Sequence, residues 1–274
     1  MTLKTRNTFI KVFLISSLVL LALTLAVLLI SLSRHSILTP PALRIPELLS
    51  HIPFAESSLI AVMLSFAVII LYVPFCFYIL IRFFENTQTT EIIFFTGFLI
   101  ACLAETARFI TICLGLWQTF SNALIVVGNV VLFGRTLAPL SFLCASLFSE
   151  TTQRQDIERN YIIMLVASVV FAAIIPMNTG RVTSTGFVTE GFIGLINIMR
   201  VLFFLTTFTT FFIHGIKKNS GEYKHLAYSS AIILIGYALI VNCDSFIFLI
   251  SGTAALTAGT FRYLKFLHRL YMWS

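Results

Sequence analysis

The chain has 274 residues, of which 58% are hydrophobic and 11% are charged, and its mean hydropathy is +0.99. A water-soluble domain of this length buries only about three quarters of the surface of its unfolded chain, too little to hide so much apolar material. The composition therefore excludes a soluble enzyme, a disordered chain and a secreted disulfide scaffold. Because the apolar runs are continuous rather than alternating, we expect an all-α fold, a polytopic membrane helical bundle, and not a β-barrel.

Apolar runs long enough to cross about 30 Å of hydrocarbon recur along the whole chain. The first run follows Lys4, Arg6 and Lys11. It is longer than the apolar part of a signal peptide and lacks a cleavage site of small residues, so we interpret it as a retained span. The runs predict a single membrane domain over 1–274, without a soluble domain and with about eight spans, at 12–32, 57–81, 92–116, 123–148, 161–176, 192–213, 226–241 and 246–267.

The number of spans depends on the polar segment 242–245, which reads Asn-Cys-Asp-Ser. If this segment is a tight turn, it divides the last apolar stretch into spans 226–241 and 246–267. If it lies within one span over 226–250, the chain has seven spans and a reentrant or interfacial tail. The distribution of basic residues distinguishes the two arrangements.

Cytoplasmic loops of membrane proteins are enriched in Lys and Arg. With a cytoplasmic N-terminus, eight spans place twelve of the 18 Lys and Arg residues in the cytoplasm and three outside. Seven spans reduce this difference to nine against six. We therefore expect eight spans in the cell membrane with both termini cytoplasmic. The net charge of +7 then reflects orientation in a lipid bilayer, and we expect no nucleic-acid partner, because no basic patch with interleaved aromatic residues is present.

Two further segments have recognisable patterns. Segment 33–56 contains four prolines and spaced Leu and Ile residues, which predict a short helix on the outer membrane surface. From Phe261 onward, basic residues are interleaved with apolar ones up to Trp273, which predicts an interfacial cap anchored by aromatic side chains.

Four charged residues and one amide inside predicted spans are the candidate residues of a polar site: Glu105, Arg108, Arg135, Arg200 and Asn197. Each charge needs a partner or a function, because a charge at the bilayer centre costs at least about 2.5–3.5 kcal/mol. Glu105 and Arg108 are three residues apart in the third span and share a helix face. Arg135 lies in the middle of the fourth span, and Asn197 and Arg200 lie in the sixth. Counted at about 1.5 Å per residue, the four charges fall in one layer, in which guanidinium groups outnumber carboxylates.

Pro139 predicts a kink in the fourth span, because proline cannot donate a hydrogen bond to the carbonyl of Arg135. Interrupted helices supply free backbone groups at many binding sites in membranes. Glu190 and Asp244, at the outer ends of neighbouring spans, are the expected counter-charges.

Two interpretations of this polar layer stay open. In the first, Glu105 pairs with Arg108 or Arg135 and locks the bundle, while Arg200 extends towards the membrane surface. In the second, the four charged residues and Asn197 form a ligand site. The excess of arginine then favours an anion, because guanidinium groups suit carboxylates and phosphates.

Three functions agree with these features. The first hypothesis is a binding, sensing or accessory membrane module that takes an anionic or amphipathic ligand, either an anionic small molecule or a lipid headgroup, and acts with a membrane or cytoplasmic protein partner. The alternative is a small-solute or ion transporter, which would require broken helices and inverted repeats. A second alternative is an intramembrane lipid-modifying enzyme with Glu105 as its base. The scattered His and Cys residues show no metal-ligand spacing, and we identify no catalytic residue or cofactor motif.

Overall fold

The computed structural model describes residues 3–33, 56–85, 87, 89–118, 122–150 and 157–272. Within these ranges, eight helical stretches are long and apolar enough to cross a membrane, where α3 and α4 count as one. The helices are α1 (Leu3–Ser33), α2 (Leu59–Phe84), α3 (Thr90–Glu105), α4 (Ala107–Leu114), α5 (Asn122–Leu147), α6 (Ile157–Ile174), α7 (Ile193–Lys217), α8 (Gly221–Val241) and α9 (Phe246–Met272). Short 3-10 turns follow α4 at Leu116–Gln118 and α5 at Phe148–Glu150, and strands β1 (Met177–Val182) and β2 (Val188–Glu190) lie between α6 and α7.

The polar segment 242–245 separates α8 from α9, so the last apolar stretch forms two helices rather than one. In this segment the Asn242 N–H donates to the carbonyl of Ala238, and the carbonyl of Asp244 accepts a hydrogen bond of 2.8 Å from the Ser58 N–H. The prediction of eight helices long and apolar enough to span a membrane is confirmed over the described ranges. The penultimate helix has 21 residues, so it is longer than the predicted span over 226–241.

The third apolar stretch is broken at Thr106, between Glu105 and Arg108. The Thr106 N–H and the Phe109 N–H each donate to a carbonyl three residues earlier, and the Thr106 hydroxyl also donates to the carbonyl of Leu103 at 2.6 Å. Such local bonds replace the regular helical ladder and often mark a functional hinge or strain.

Pro139, where the sequence predicts a kink, does not divide the helix. Helix α5 runs continuously from Asn122 to Leu147 with Pro139 inside it. Proline removes only its own donor, and the other hydrogen bonds of a long packed helix can maintain the helical course. The break lies instead at a threonine, whose hydroxyl competes for a backbone carbonyl.

The antiparallel hairpin of β1 and β2 was absent from the sequence interpretation. Met177 pairs with Glu190 and Val182 with Val188, with an irregular register between them. At its tip the Thr183 N–H donates to the carbonyl of Phe187, and Gly186 has φ +75°, a conformation that favours glycine. The hairpin packs against α5 and places Phe187 beside the charged groups described below.

Helix α5 is central to the bundle, because it contacts α3, α6, α7 and both strands. A side chain at Gly134 would place its Cβ 2.7 Å from the carbonyl oxygen of Ala101 and 2.9 Å from the Cβ of Ala104. The close approach of α3 and α5 therefore requires glycine here, and it brings the adjacent Arg135 to α3. Behind this contact, aromatic rings from α3, α5, α8 and α9 fill the core, with centroids 5.1–6.1 Å apart: Phe95, Phe98, Phe142, Tyr237 and Tyr263.

The two patterned segments have different outcomes. The helix predicted within 33–56 falls almost wholly on residues 34–55, outside the described ranges. The basic and apolar tail after Phe261 continues α9 to Met272, and Trp273 of the predicted interfacial cap lies outside the described ranges. Leu267 is fully buried there, and the ring of Phe266 stacks on His225 with centroids 4.3 Å apart.

Candidate functional site

Glu105 is the centre of a buried charge cluster that joins three helices. Its Oε2 lies 2.8 Å from Arg108 Nε, and its Oε1 lies 3.2 Å from Arg135 Nε. The Tyr237 hydroxyl on α8 also donates to Oε1, at 3.1 Å. Glu105 has no exposed surface, so its charge is stabilised by these partners and not by solvent.

Arg108 is fully enclosed by protein groups. Its Nη1 donates to the carbonyl of Val241 at 2.6 Å and to that of Thr185 at 3.5 Å, and its guanidinium lies 5.0 Å from the ring centre of Phe66. Val241 is the last residue of α8, where carbonyls lack a helical partner and the helix dipole favours a positive charge. Arg108 therefore connects α4, α8 and the hairpin, as the locking interpretation requires.

The Arg135 side chain contacts Glu105 and also lines a cavity. Its guanidinium lies over the ring of Phe187, 3.9 Å from the centroid, at the tip of the hairpin. The residue is 8% exposed, and its buried Nη2 has no hydrogen-bond partner. A buried N–H without a partner is costly, so an acceptor within reach of this nitrogen would be stabilised.

Arg200 approaches the same cavity from α7. Its Nη1 lies 3.1 Å from Glu190 Oε1 and 3.3 Å from Asn197 Oδ1, while Nε and Nη2 are buried without hydrogen-bond partners. Asn197 is exposed and contributes through Arg200, not at the cavity wall. Of the two expected counter-charges, Glu190 is thus found on an arginine, whereas Asp244 accepts a hydrogen bond of 3.4 Å from the Ser184 hydroxyl.

The cavity has a volume of about 330 Å³ and lies between α5, α7 and α8. Arg135, Arg200 and Tyr237 supply most of its polar groups, and the rest of the wall is mainly apolar. Its lining is completed by Pro139, Val201, Phe204, Leu234, Ile235, Ala238, Val241 and Asn242. A mostly apolar pocket with a few convergent polar groups is the usual form of a small-molecule site.

The structure divides the five residues that the sequence singled out. Glu105, Arg108 and Arg135 form one direct network, and Arg135 shares the cavity wall with Arg200. With Glu190 included, the group has three guanidiniums and two carboxylates, so it carries one net positive charge. All three arginines have buried guanidinium nitrogens without a hydrogen-bond partner, but only Arg135 and Arg200 line the cavity.

Three groups at the site escaped the sequence interpretation: the Tyr237 hydroxyl, the Phe187 ring and the Val241 carbonyl. A tyrosine within an apolar span was a usable signal, because a buried phenol usually finds a polar partner. The roles of Phe187 and Val241 follow from the hairpin and from where α8 ends. Neither produces a periodic pattern in the sequence.

A second buried carboxylate, Glu91, lies in the first turn of α3, at the other end of that helix. Its Oε2 accepts hydrogen bonds from the Tyr271 hydroxyl at 2.7 Å and the Thr90 hydroxyl at 3.1 Å, and its Oε1 has no hydrogen-bond partner. Glu91 is fully buried, and no ion pair to it is found among the described residues. The sequence interpretation did not single out this group, because it lies at the edge of a predicted span.

Comparison with known proteins gives no relative from which to infer a function: no family model matches the chain, and no curated protein or solved structure is significantly similar to it.

Proposed function

We propose that this protein is a membrane binding or sensing module that takes an anionic or amphipathic ligand in the cavity between α5, α7 and α8. The observation that carries the proposal is that Arg135 and Arg200 line one apolar cavity with unpartnered guanidinium nitrogens. Guanidinium groups bind carboxylates and phosphates through paired hydrogen bonds. A response to the ligand would pass to a membrane or cytoplasmic partner through α7 and α8, which carry part of the cavity wall.

The proposed orientation places both termini in the cytoplasm of a cell with the protein in its cell membrane. Twelve basic residues then lie on the cytoplasmic side and three outside, as the positive-inside rule favours. In this orientation the hairpin lies at the outer surface, because it joins α6 to α7 at the end of the bundle opposite the α7–α8 turn. The candidate site then extends from the outer half of the membrane to its middle, where Arg135 lies.

The test is ligand-dependent thermal stabilisation of the full chain in a neutral detergent. Sodium oleate and dodecyl phosphate serve as anionic amphiphiles, and dodecanol serves as the uncharged control. A ligand at 100 times its Kd should stabilise the protein by about 2.7 kcal/mol. Because hydrogen bonds to charged groups contribute about 1.5–3 kcal/mol, Arg135→Gln should weaken the response roughly 10- to 150-fold.

Arg200→Gln should weaken the response as well, whereas Arg262→Gln should leave it unchanged. Arg262 is an exposed arginine on α9 that does not line the cavity, so it is a matched control for the loss of one positive charge. If both cavity variants fold and respond to the anionic amphiphiles as the wild type does, the proposed site is wrong.

Transport is a second candidate, favoured by the break at Thr106 beside the charge cluster. Broken helices adjacent to a binding site are typical of secondary transporters. Saturable uptake of radiolabelled octanoate into proteoliposomes, reduced by Thr106→Val, would support it. Binding without any uptake would leave the sensing function as the better description. Glu105, the base that the enzyme alternative needs, does not line the cavity, so the geometry gives that alternative no support.

A further inference from the structure

The cavity has a polar end and an apolar end, and the three helices around it repeat this order. Arg135 on α5, Arg200 on α7 and Tyr237 on α8 are its main polar groups. The next residues of the wall lie about one helical turn farther from the hairpin than these polar groups. They are Pro139 on α5, Phe204 on α7 and Leu234 on α8. The two arginines and Tyr237 are therefore nearer to the hairpin than Pro139, Phe204 and Leu234 are. The smaller apolar residues Ala238 and Val241 line the cavity beside the polar groups.

The order of polar and apolar groups agrees with their distance from the ends of the helices. Arg200 lies seven residues after Ile193, the first residue of α7, which corresponds to roughly 10 Å along the helix. Tyr237 lies four residues before Val241, the last residue of α8, which corresponds to roughly 6 Å. Arg200 and Tyr237 thus lie within one half of a hydrocarbon layer about 30 Å thick, whereas Arg135 lies at the middle of α5. The apolar end extends beyond the level of Arg135.

The cavity is open towards the side of the bundle, and the exposed Asn242 lines it at the end near the hairpin. Phe187, 2% exposed, covers Arg135 from the hairpin. On the open side, the lining residues Val201 and Ile235 are 55% and 50% exposed, and both lie in helices apolar enough to span a membrane. The exposed edge between α7 and α8 would therefore face lipid and not water.

From these three observations we infer that the ligand is a membrane lipid with a singly charged anionic headgroup and one acyl chain, which enters sideways between α7 and α8. This inference rests on the proposed function. The headgroup binds Arg135 and Arg200, and the chain lies along Pro139, Phe204 and Leu234. A single charge matches the one surplus guanidinium of the group. A volume of about 330 Å³ is near the lower end of ligand sites, at about 300–1,000 Å³, and so suits one chain rather than two.

The position of the acyl chain is tested by fluorescence quenching in bilayer nanodiscs, with palmitate brominated along its acyl chain as the probe. Trp117 and Trp273 are replaced by Phe, and one tryptophan is introduced by Phe204→Trp inside the cavity. Ile198→Trp, on the exposed surface of the same helix, is the matched control. Quenching at position 204 should saturate at a mole fraction of palmitate about 10-fold lower than at position 198, since a specific site fills before the surrounding lipid does.

Adding Arg200→Gln to the Phe204→Trp protein should remove the saturable part of the quenching, and Arg135→Gln provides a second variant if the first does not fold. Equal, non-saturating quenching at both positions would overturn the inference. A parallel arm measures thermal stabilisation of the wild type by inorganic phosphate, acetate and palmitate. We expect stabilisation by palmitate at a concentration at least about 100-fold lower than that of either free anion, because each buried methylene adds about 0.8 kcal/mol.

The outcomes separate the lipid inference from the proposed function. If phosphate or acetate stabilises the protein as well as palmitate does, and Arg135→Gln removes the effect, the anion site stands and the lipid inference is wrong. If no probe stabilises the protein and no quenching saturates, both are wrong.

Discussion

Helix α3 carries two fully buried carboxylates whose partners are of opposite kinds. Glu91, in its first turn, is held by the hydroxyls of Tyr271 and Thr90. Glu105, its last residue, is held by two guanidiniums and the Tyr237 hydroxyl. The two residues are 14 positions apart, so they lie roughly 21 Å apart along the same helix.

The position of each carboxylate in the helix explains the difference. The N-terminal end of a helix carries a partial positive charge, so it favours Glu91, which has no direct ion pair among the described residues and only a weaker electrostatic contribution from Lys218. The C-terminal end carries a partial negative charge and disfavours Glu105, which therefore needs positive partners. Arg108 and Arg135 supply them, and the surplus of positive charge that results is what faces the cavity. The ligand site and the locking network are in this sense parts of one electrostatic arrangement.

The largest effect is expected from Glu105→Gln. This change keeps the shape of the side chain but leaves Arg108 and Arg135, both buried, without their shared carboxylate. Removal of one partner from a buried ion pair costs about 3–5 kcal/mol, because the remaining charge is uncompensated. The measurement is the thermal or denaturant-induced unfolding of the purified protein in detergent, with the exposed Glu85→Gln as the control.

A double variant, Glu105→Gln with Arg108→Gln, examines the cause. If the stranded charge is what destabilises the single variant, the double variant should recover part of the lost stability, although Val241 then loses its hydrogen-bond donor. A cost for Glu105→Gln as small as that of Glu85→Gln would show that the network contributes nothing to stability.

The part of this arrangement that the sequence could predict is the part governed by helix periodicity. The i, i+3 spacing placed Glu105 and Arg108 on one face, and counting along the spans placed Arg135 at their level. The polar segment 242–245 and the distribution of basic residues predicted the last two helices. These inferences succeeded because apolar length and helical rise are properties of the local sequence.

The rest depends on contacts between distant segments. The hairpin is short and its irregular register has no alternating pattern, so Phe187 could not be placed over Arg135 in advance. The break at Thr106 was also missed, because threonine is common in unbroken helices and Pro139 was the stronger local signal. Glu190 was correctly considered as a counter-charge, but only the fold shows that it pairs with Arg200 and not with the buried cluster.

Removal of a single hydroxyl donor should lower the free energy of unfolding by less than Glu105→Gln does, and by different amounts for the two carboxylates. Tyr271→Phe deletes one of the two hydroxyl donors to Glu91, and the lost hydrogen bond to a charged group should cost about 2 kcal/mol. Tyr237→Phe deletes a donor to Glu105, which keeps both guanidiniums, so we expect a cost of about 1 kcal/mol. Unfolding of the two variants under identical detergent conditions gives the comparison, with the exposed Tyr228→Phe as the control. The reverse order would mean that the guanidiniums do not compensate for a lost hydroxyl.

The smallest effect is expected from Glu91→Gln, about 1 kcal/mol or less, although Glu91 is as buried as Glu105. The amide oxygen can still accept the hydrogen bonds of Tyr271 and Thr90, and no ion pair of the described residues is broken. The amide also removes a buried charge, whose desolvation cost offsets the weaker hydrogen bonds. The same unfolding measurement therefore compares Glu91→Gln directly with Glu105→Gln. Costs of equal size would mean that burial alone sets the sensitivity of a carboxylate in this bundle, whereas a difference of several-fold would show that the sensitivity comes from the positive charges that depend on it.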